Sequence, residues 1–105
     1  MNREVVEQLK ANNDNLQIPR EINHWIYFLE KKSREDFKRN LNSNFYRIVE
    51  EETLQESEFP FQLIISHTST VEFETINHIT TELLKKTIEA GGNYDGWESL
   101  IIERK

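Results

Sequence analysis

The sequence is poor in several residue types, with no cysteine, one methionine, two prolines and three glycines among 105 residues. Without cysteine the chain can form no disulfide, thiolate zinc site or catalytic thiol. No apolar run is long enough to cross a membrane. Acidic residues near the N-terminus stand where a signal peptide carries its apolar core. We therefore expect a cytoplasmic protein without a metal, a cofactor or a membrane partner.

Basic residues are also in deficit, with 13 Lys and Arg against 19 Asp and Glu and a net charge of −6. Proteins that bind nucleic acid gain most of their affinity from Lys and Arg that displace counterions, so broad nucleic-acid binding is disfavoured. Basic residues gather between Lys31 and Arg39, and acidic residues gather between Glu50 and Glu58. This polarity would steer a protein partner, although two separate solvated surfaces explain the same runs.

The length and the 36% hydrophobic content predict one domain spanning residues 1–105. Residues 1–18 form its N-terminal part, an amphipathic helix at 2–12 followed by an extended lead-in to Pro19. Two further helices are predicted, one capped by Ser33 and one capped by Ser69 or Thr70 that runs to about Ala90. Alternating apolar residues predict strands at 22–29, 45–51, 59–67 and 94–103.

This order of elements predicts an α+β fold, a ferredoxin-like βαββαβ sandwich preceded by an extra helix. Right-handed crossovers place both main helices on one face of a four-stranded antiparallel sheet. The first and third strands are apolar on both faces and should be central, whereas the half-polar second strand should lie at an edge. The fourth strand should neighbour the first, which brings Trp97 beside Trp25.

The first strand sends Trp25 and Tyr27 to one face and Ile26 and Phe28 to the other. We expect Ile26 and Phe28 to face the helices, so the two larger rings lie on the open side of the sheet. The N-terminal helix or a second copy of the chain would bury them there. If they stay exposed, they mark a site for a protein partner. The face of Trp97 is left open, because Gly96 is a candidate β-bulge.

Signatures of catalysis are missing, including the serine elbow, the phosphate-binding glycine loop and the zinc motifs. The glycine-rich segment 91–96 follows a helix instead of opening one, so it cannot hold a phosphate at a helix N-terminus. If the first and third strands are parallel neighbours, His24 and His67 lie toward opposite ends. A small-molecule enzyme using His24, Asp95 and Glu98 is one hypothesis, but we expect no catalytic residue.

Two segments, Pro19-Arg20-Glu21-Ile22-Asn23-His24-Trp25-Ile26-Tyr27-Phe28 and Gly91-Gly92-Asn93-Tyr94-Asp95-Gly96-Trp97-Glu98, resemble the paired motifs of the RraB family, the regulators of ribonuclease E activity B. The segment Phe59-Pro60-Phe61-Gln62-Leu63 is similar to that family's central strand. The match spans nearly the whole chain in order. The resemblance implies a small α+β domain that is not an enzyme and that inhibits an RNA-degrading endonuclease by direct protein contact.

The chain is shorter than the founding members of that family and lacks the long acidic extension that some carry, so the fold transfers better than the partner. The first hypothesis is a non-catalytic, protein-binding regulator of RNA turnover, with a ribonuclease as partner. Its predicted contact residues are Trp25, Tyr27, Asp95 and Trp97. The alternative is a single-stranded nucleic-acid or nucleotide binder that stacks bases on the aromatic face. A homodimer is a further possibility.

Overall fold

The computed structural model describes residues 6–8, 11 and 15–99. Its elements, in chain order, are β1 Arg20–Phe28, α1 Lys31–Arg39, β2 Arg47–Thr53, β3 Phe61–Ser69, α2 Phe73–Glu89 and β4 Gly92–Ser99. Residues 6–8 and 11 are helical and fall within the predicted N-terminal helix. The rest of that helix and the predicted end of the last strand at 100–103 lie outside the described residues. None of the described helices has the length and apolar character needed to cross a membrane.

The four strands form one sheet in the order β2-β3-β1-β4, and every neighbouring pair is antiparallel. The predicted mixed fold with a four-stranded antiparallel sheet is therefore confirmed. So are the central places of the first and third strands and the neighbourhood of the fourth with the first. β2 lies at an edge, as its half-polar sequence predicts, and all seven of its residues are exposed.

Both helices α1 and α2 pack on the same face of the sheet. One apolar cluster joins Ile26 and Phe28 of β1 to Phe37 of α1 and to Ile79 and Leu83 of α2. Alternation along β1 selects these residues, because every second side chain of a strand points to the same face. Full burial of a side chain as large as Phe28 contributes roughly 1.5–3 kcal/mol to folding.

A second apolar cluster lies on the same side, toward the start of β1. It contains Ile22 and Val6 together with Leu16, Val71 and Ile76. Val6 of the N-terminal helix is therefore packed on the helix-covered side, which contradicts the alternative in which this helix covers Trp25 and Tyr27. Val6 lies there because it packs on Ile22, and strand alternation points Ile22 away from the face that carries the two rings. Val5 and Leu9, the other apolar residues on that side of the predicted N-terminal helix, lie outside the described residues.

The predicted helix caps are wrong for both main helices. α1 begins after Glu30 and α2 begins after Glu72, and neither residue makes a side-chain cap. Ser33 lies inside α1. Ser69 ends β3, and its hydroxyl donates to the Thr70 carbonyl and contacts a histidine, so it is not available to cap α2.

Candidate functional site

The sheet face opposite the helices presents three rows of side chains. Residues that pair directly on neighbouring strands point to the same face, so the pairings give the rows. In the order β2, β3, β1, β4, they are Arg47, Ser66, Asn23 and Glu98; then Glu50, Ile64, Trp25 and Gly96; then Glu52, Gln62, Tyr27 and Asn93. We call this surface the open face, because no described helix packs against it.

Trp25 and Tyr27 occupy the middle of the open face. Both are half-buried, while Ile26 and Phe28, which alternate with them, are fully buried against the helices. This confirms the predicted division of the first strand between the two faces. The Tyr27 hydroxyl accepts a hydrogen bond from Nε2 of Gln62 at 3.1 Å, which orients the ring along its row.

A β-bulge in β4 interrupts the alternation of that strand. The pairing with β1 shifts between Trp25 and Ile26, so that Gly96 opposes Trp25 whereas Tyr94 opposes Ile26. Asp95 is the extra residue of the bulge, and it is exposed. Gly96 has a φ of +129°, a conformation that glycine adopts far more easily than a residue with a side chain. The expected bulge is thus present at the expected residue.

The bulge places Trp97 on the helix-covered side, where it pairs with His24 and packs against the second apolar cluster. The four predicted contact residues therefore do not form one patch. Trp25 and Tyr27 share the open face, and the exposed Asp95 is the unpaired residue of the bulge, next to Gly96. Trp97 sits on an adjacent strand, as predicted, but on the opposite face.

Carboxylates border the aromatic pair on both sides. Glu50 and Glu52 lie on β2 and Glu98 lies on β4, and all three are exposed. Arg47 is the only basic residue in the three rows, and its Nη2 donates to Oε1 of Glu21 at 2.8 Å. The open face is therefore acidic overall, which disfavours the binding of a phosphate backbone.

The acid between them, Glu51, belongs to a different environment. It points toward α1, where its Oε1 lies 2.6 Å from Nζ of Lys38 and 3.7 Å from Nε of Arg34. Arg34 is itself buried and donates from Nη1 to the main-chain carbonyls of Glu52 and Gln62, each at 3.1 Å. Glu51 of the acidic run is thus joined to Lys38 and Arg34 of the basic run where α1 packs on the sheet, whereas most other members of both runs are exposed.

A chain of hydrogen bonds crosses the helix-covered side between the two apolar clusters. His24 Nδ1 lies 2.7 Å from the Tyr94 hydroxyl, and His24 Nε2 lies 2.8 Å from His67 Nδ1. His67 Nε2 lies 2.9 Å from Oγ of Ser69, which donates to the Thr70 carbonyl. The two imidazoles are stacked, with centroids 4.9 Å apart. We call Tyr94, His24, His67 and Ser69 the histidine chain.

The hydrogen bonds of the histidine chain have one consistent direction. Because Ser69 directs its proton to Thr70, its oxygen accepts, and His67 must donate from Nε2. Nδ1 of His67 then accepts from Nε2 of His24, and Nδ1 of His24 accepts from the Tyr94 hydroxyl. All four ring nitrogens are therefore satisfied while both imidazoles are neutral.

Burial keeps the histidine chain neutral. Burial, and secondarily the neighbouring His67, lowers the pKa of His24 to about 3. Burial also lowers the pKa of His67 to about 4 and raises the pKa of the Tyr94 hydroxyl above its usual value. At neutral pH none of these groups is poised to gain or lose a proton, so the arrangement serves to satisfy polar groups inside the core.

Sequence reasoning missed the histidine chain because it weighed the two histidines only for a parallel pairing of the first and third strands and did not apply the predicted antiparallel sheet to them. The two strands are antiparallel, and His67 pairs with Ile22, two residues before His24 on the same face. The two histidines therefore meet instead of lying at opposite ends. A usable signal was present, since His24 shares the parity of Ile22 and Ile26, a pattern that predicts a buried ring.

The hypothetical enzyme site of His24, Asp95 and Glu98 is not assembled. His24 is fully buried on the helix-covered side, whereas Glu98 pairs with Asn23 on the open face. In the part of the chain that the structure describes, no group of three or more His, Cys, Asp or Glu residues is placed to hold a metal ion. His78 is exposed on α2 beside Glu82, as its helical spacing predicts.

The whole described structure falls within a match to a known protein family. Residues 1–99 match the RraB family, described as "Regulator of ribonuclease activity B". A search of curated proteins finds no match. The family match includes both segments that carry the sequence resemblance, the one that forms β1 and the one that forms the bulged strand β4. The chain belongs to the RraB family.

Proposed function

We propose that this chain regulates a ribonuclease by binding a protein partner through the open face, and that it catalyses no reaction itself. Family membership supports the ribonuclease part of the proposal. The observation that carries the binding part is the half-buried pair Trp25 and Tyr27, on a face that no described helix covers. Trp and Tyr are among the residues that most often anchor protein interfaces.

The proposed contact residues are Trp25, Tyr27 and Asp95. Asp95 joins the aromatic pair because it is the exposed, unpaired residue of the bulge and directly precedes Gly96, which pairs with Trp25. Trp97 has a different proposed role. Its packing against the second apolar cluster supports a role in holding β4 in place, and its effect on a partner would be indirect.

We also infer a ferredoxin-like arrangement within a single domain spanning residues 1–105. The strand order and the common side of both helices support this fold. By resemblance to the RraB family, the proposed target is ribonuclease E and the proposed compartment is the cytoplasm.

Reconstituted RNA cleavage tests the proposal. Ribonuclease E purified from the source cell is assayed on a short single-stranded RNA at increasing concentrations of this chain. We expect the wild type to slow cleavage and the Trp25→Ala/Tyr27→Ala variant to need roughly thirtyfold more protein, because one interface anchor contributes at least about 2 kcal/mol. Leu84→Ala, a change at an exposed apolar residue of α2, is the control and should match the wild type.

Two results would overturn the proposal. One is a wild-type chain that neither changes the cleavage rate nor co-sediments with the ribonuclease. The other is a folded Trp25→Ala/Tyr27→Ala variant that inhibits as well as the wild type does. Circular dichroism and thermal melting establish whether the variant is folded before its activity is compared.

Single-stranded nucleic-acid binding is the second candidate, and the aromatic pair is the observation that favours it. Bases stack on Trp and Tyr rings in sheets that bind single strands. The border of carboxylates counts against it, because those sheets also supply positive charge for the backbone. Tryptophan fluorescence titrated with a ten-nucleotide RNA at low salt decides the matter, and an unchanged signal eliminates this candidate.

A further inference from the structure

We propose that the open face binds an extended, basic segment of the partner protein, with two Lys or Arg side chains spaced about three to five residues apart. The identity of that partner as a ribonuclease or an associated protein rests on the proposed function. The chemistry of the segment follows from the charge, the rings and the dimensions of the open face.

The first observation is the charge at the margins of the open face. Glu50 and Glu52 stand on β2 and Glu98 stands on β4, and within the described residues none of the three makes an ion pair. The one basic residue in the rows, Arg47, already pairs with Glu21. A face bordered by carboxylates attracts cationic partners and repels anionic ones.

Glu51, between Glu50 and Glu52, shows that strand alternation decides which acids of β2 form ion pairs. Glu51 points to α1 and is paired there with Lys38 and Arg34. Glu50 and Glu52 lie opposite Ile64 and Gln62 of β3 in the sheet. Their side chains are on the open face, away from the basic residues of α1. The fold thus neutralises one member of the acidic run and leaves its two neighbours available to an external cation.

The second observation is the surface between the two margins. Trp25 and Tyr27 present aromatic rings there, and rings of this kind attract guanidinium and ammonium groups. Gly96, opposite Trp25, carries no side chain, and no atom beyond Gly96 and its two chain neighbours lies within 4 Å of the position that a Cβ would occupy. This gap beside Trp25 suits the aliphatic stem of a Lys or Arg, whose charged end can extend toward Asp95 or Glu98.

The third observation is the span between the acidic margins. β2 and β4 are separated by three strand spacings, which amount to about 14 Å. An extended peptide rises about 3.3 Å per residue, so about four residues bridge this distance. The flexibility of long basic side chains widens the spacing to about three to five residues.

The same observations argue against the other occupants of this face. A second copy of the chain would bring its own Glu50, Glu52 and Glu98 into contact with the first set if it docked through the same surface. A nucleic acid would bring phosphates to the same carboxylates. A basic polypeptide is the occupant for which the charges at the margins and the rings at the centre are both favourable.

Peptide binding tests this inference directly. The probes are three fluorescein-labelled, 12-residue peptides that carry two arginines three, four or five positions apart, with otherwise neutral residues. A fourth peptide has glutamines in place of both arginines. Fluorescence anisotropy is measured against the full chain at low salt and at 0.5 M salt. We expect at least one arginine peptide to bind, the glutamine peptide not to bind, and the affinity to fall at high salt.

The decisive comparison uses two variants of equal net charge. Glu50→Gln/Glu52→Gln removes two carboxylates from the open face, whereas Glu74→Gln/Glu89→Gln removes two exposed carboxylates from α2. We expect the first variant to weaken peptide binding by about three- to tenfold, because each exposed ion pair contributes about 0.5 kcal/mol or more. The second variant should stay within about twofold of the wild type. Trp25→Leu should also weaken binding, since it removes the ring beside the gap.

Equal weakening by both double variants overturns the inference, because the effect would then come from overall charge. It is also overturned if no arginine peptide binds the wild type, if a ten-nucleotide RNA binds in their place, or if sedimentation shows a dimer that Glu50→Gln/Glu52→Gln strengthens. The proposed function is tested by a different result, so the two proposals can be told apart. Loss of ribonuclease regulation in Trp25→Ala/Tyr27→Ala, together with full regulation in Glu50→Gln/Glu52→Gln, retains the function and removes this inference.

Discussion

The two faces of the same sheet differ in whether their polar side chains find partners within the described structure. On the helix-covered face, His24 and His67 are buried and each ring nitrogen has a hydrogen-bond partner. On the open face, Glu50 and Glu52 are exposed and make no ion pair with any described residue, and the buried Oδ1 of Asn23 has no partner among the described residues. On the covered face the buried Nε of Arg34 makes no hydrogen bond and lies 3.7 Å from Oε1 of Glu51, so its charge is still balanced inside the structure, whereas the open face leaves exposed carboxylates and partly buried aromatic rings.

A single strand, β1, supplies the centre of both faces. Ile26 and Phe28 are fully buried, and Trp25 and Tyr27, one residue away, are only half-buried. The difference shows that residue type alone does not divide core from surface in this protein. The position of the helices divides them, since both helices pack on one side.

The largest expected effect comes from removing a ring on the covered face. Phe28→Ala should lower the free energy of unfolding by about 3–5 kcal/mol, because it deletes a fully buried ring and leaves a cavity. Trp25→Ala, on the open face, should cost only about 1–2 kcal/mol, since its side chain is only partly buried. Urea unfolding measures both values, and equal losses would show that the two faces are equally covered.

The histidine chain predicts that acid destabilises the covered face. A pKa lowered by folding means that the unfolded chain binds more protons, so stability is complete above pH 6.5 and falls as the pH drops toward 4. Between pH 7 and pH 5 each buried imidazole should cost about 2 kcal/mol. Urea unfolding at several pH values measures this loss.

Two variants test whether the buried histidines cause that loss. His67→Gln should remove about half of the acid sensitivity, because one of the two buried imidazoles is gone. His78→Gln should leave it unchanged, since His78 is exposed on α2. A wild type whose stability is the same at pH 7 and pH 5 would contradict the prediction.

Removing one tyrosine hydroxyl from each face compares how much a single hydrogen bond contributes to stability on the two faces. Tyr94→Phe leaves Nδ1 of the buried His24 without a donor and should cost about 1–3 kcal/mol. Tyr27→Phe removes only the contact with Gln62 on the open face and should cost less than about 0.5 kcal/mol. Thermal and urea unfolding of both variants give the comparison, and a larger loss for Tyr27→Phe would reverse our assignment of the two faces.

The bulge that separates Trp97 from Trp25 should contribute less to stability than the buried ring of Phe28 does. Gly96→Ala should cost about 1–2 kcal/mol, because alanine at a φ of +129° is strained even though the space for its Cβ is empty. Asn93→Ala, at an exposed position of the same strand, is the control and should change stability by less than about 0.5 kcal/mol. Equal stability of the Gly96→Ala variant would show that the bulge does not depend on glycine.

Much of the fold was accessible from local patterns in the sequence. Alternation in β1 identified Ile26 and Phe28 as core residues, and the half-polar β2 was correctly placed at an edge. The prediction of the helix caps was wrong because capping depends on the other contacts of a hydroxyl, and the Ser69 hydroxyl contacts His67. The contact between His24 and His67 was missed because the register of two antiparallel strands relates distant segments, and no local pattern records it.

Some features of the candidate site could also be predicted from the sequence, and others could not. The sequence indicated the aromatic pair, the acidic run and the possibility of a bulge at Gly96. Which acids remain on the open face was decided by the register of β2 against β3, and by α1, which pairs with Glu51 alone. The face of Trp97 was decided by the shift in pairing between β4 and β1.

By itself, the sequence determined the order of the elements, the core face of the first strand and membership of the RraB family, because periodicity and motifs are local properties. The tertiary structure decided three other features: the contact between His24 and His67, the separation of Trp97 from Trp25, and the carboxylate border of the open face. Each depends on register between segments that are distant in the chain. A shift of one residue in a strand exchanges its two faces, so only the assembled sheet specifies them.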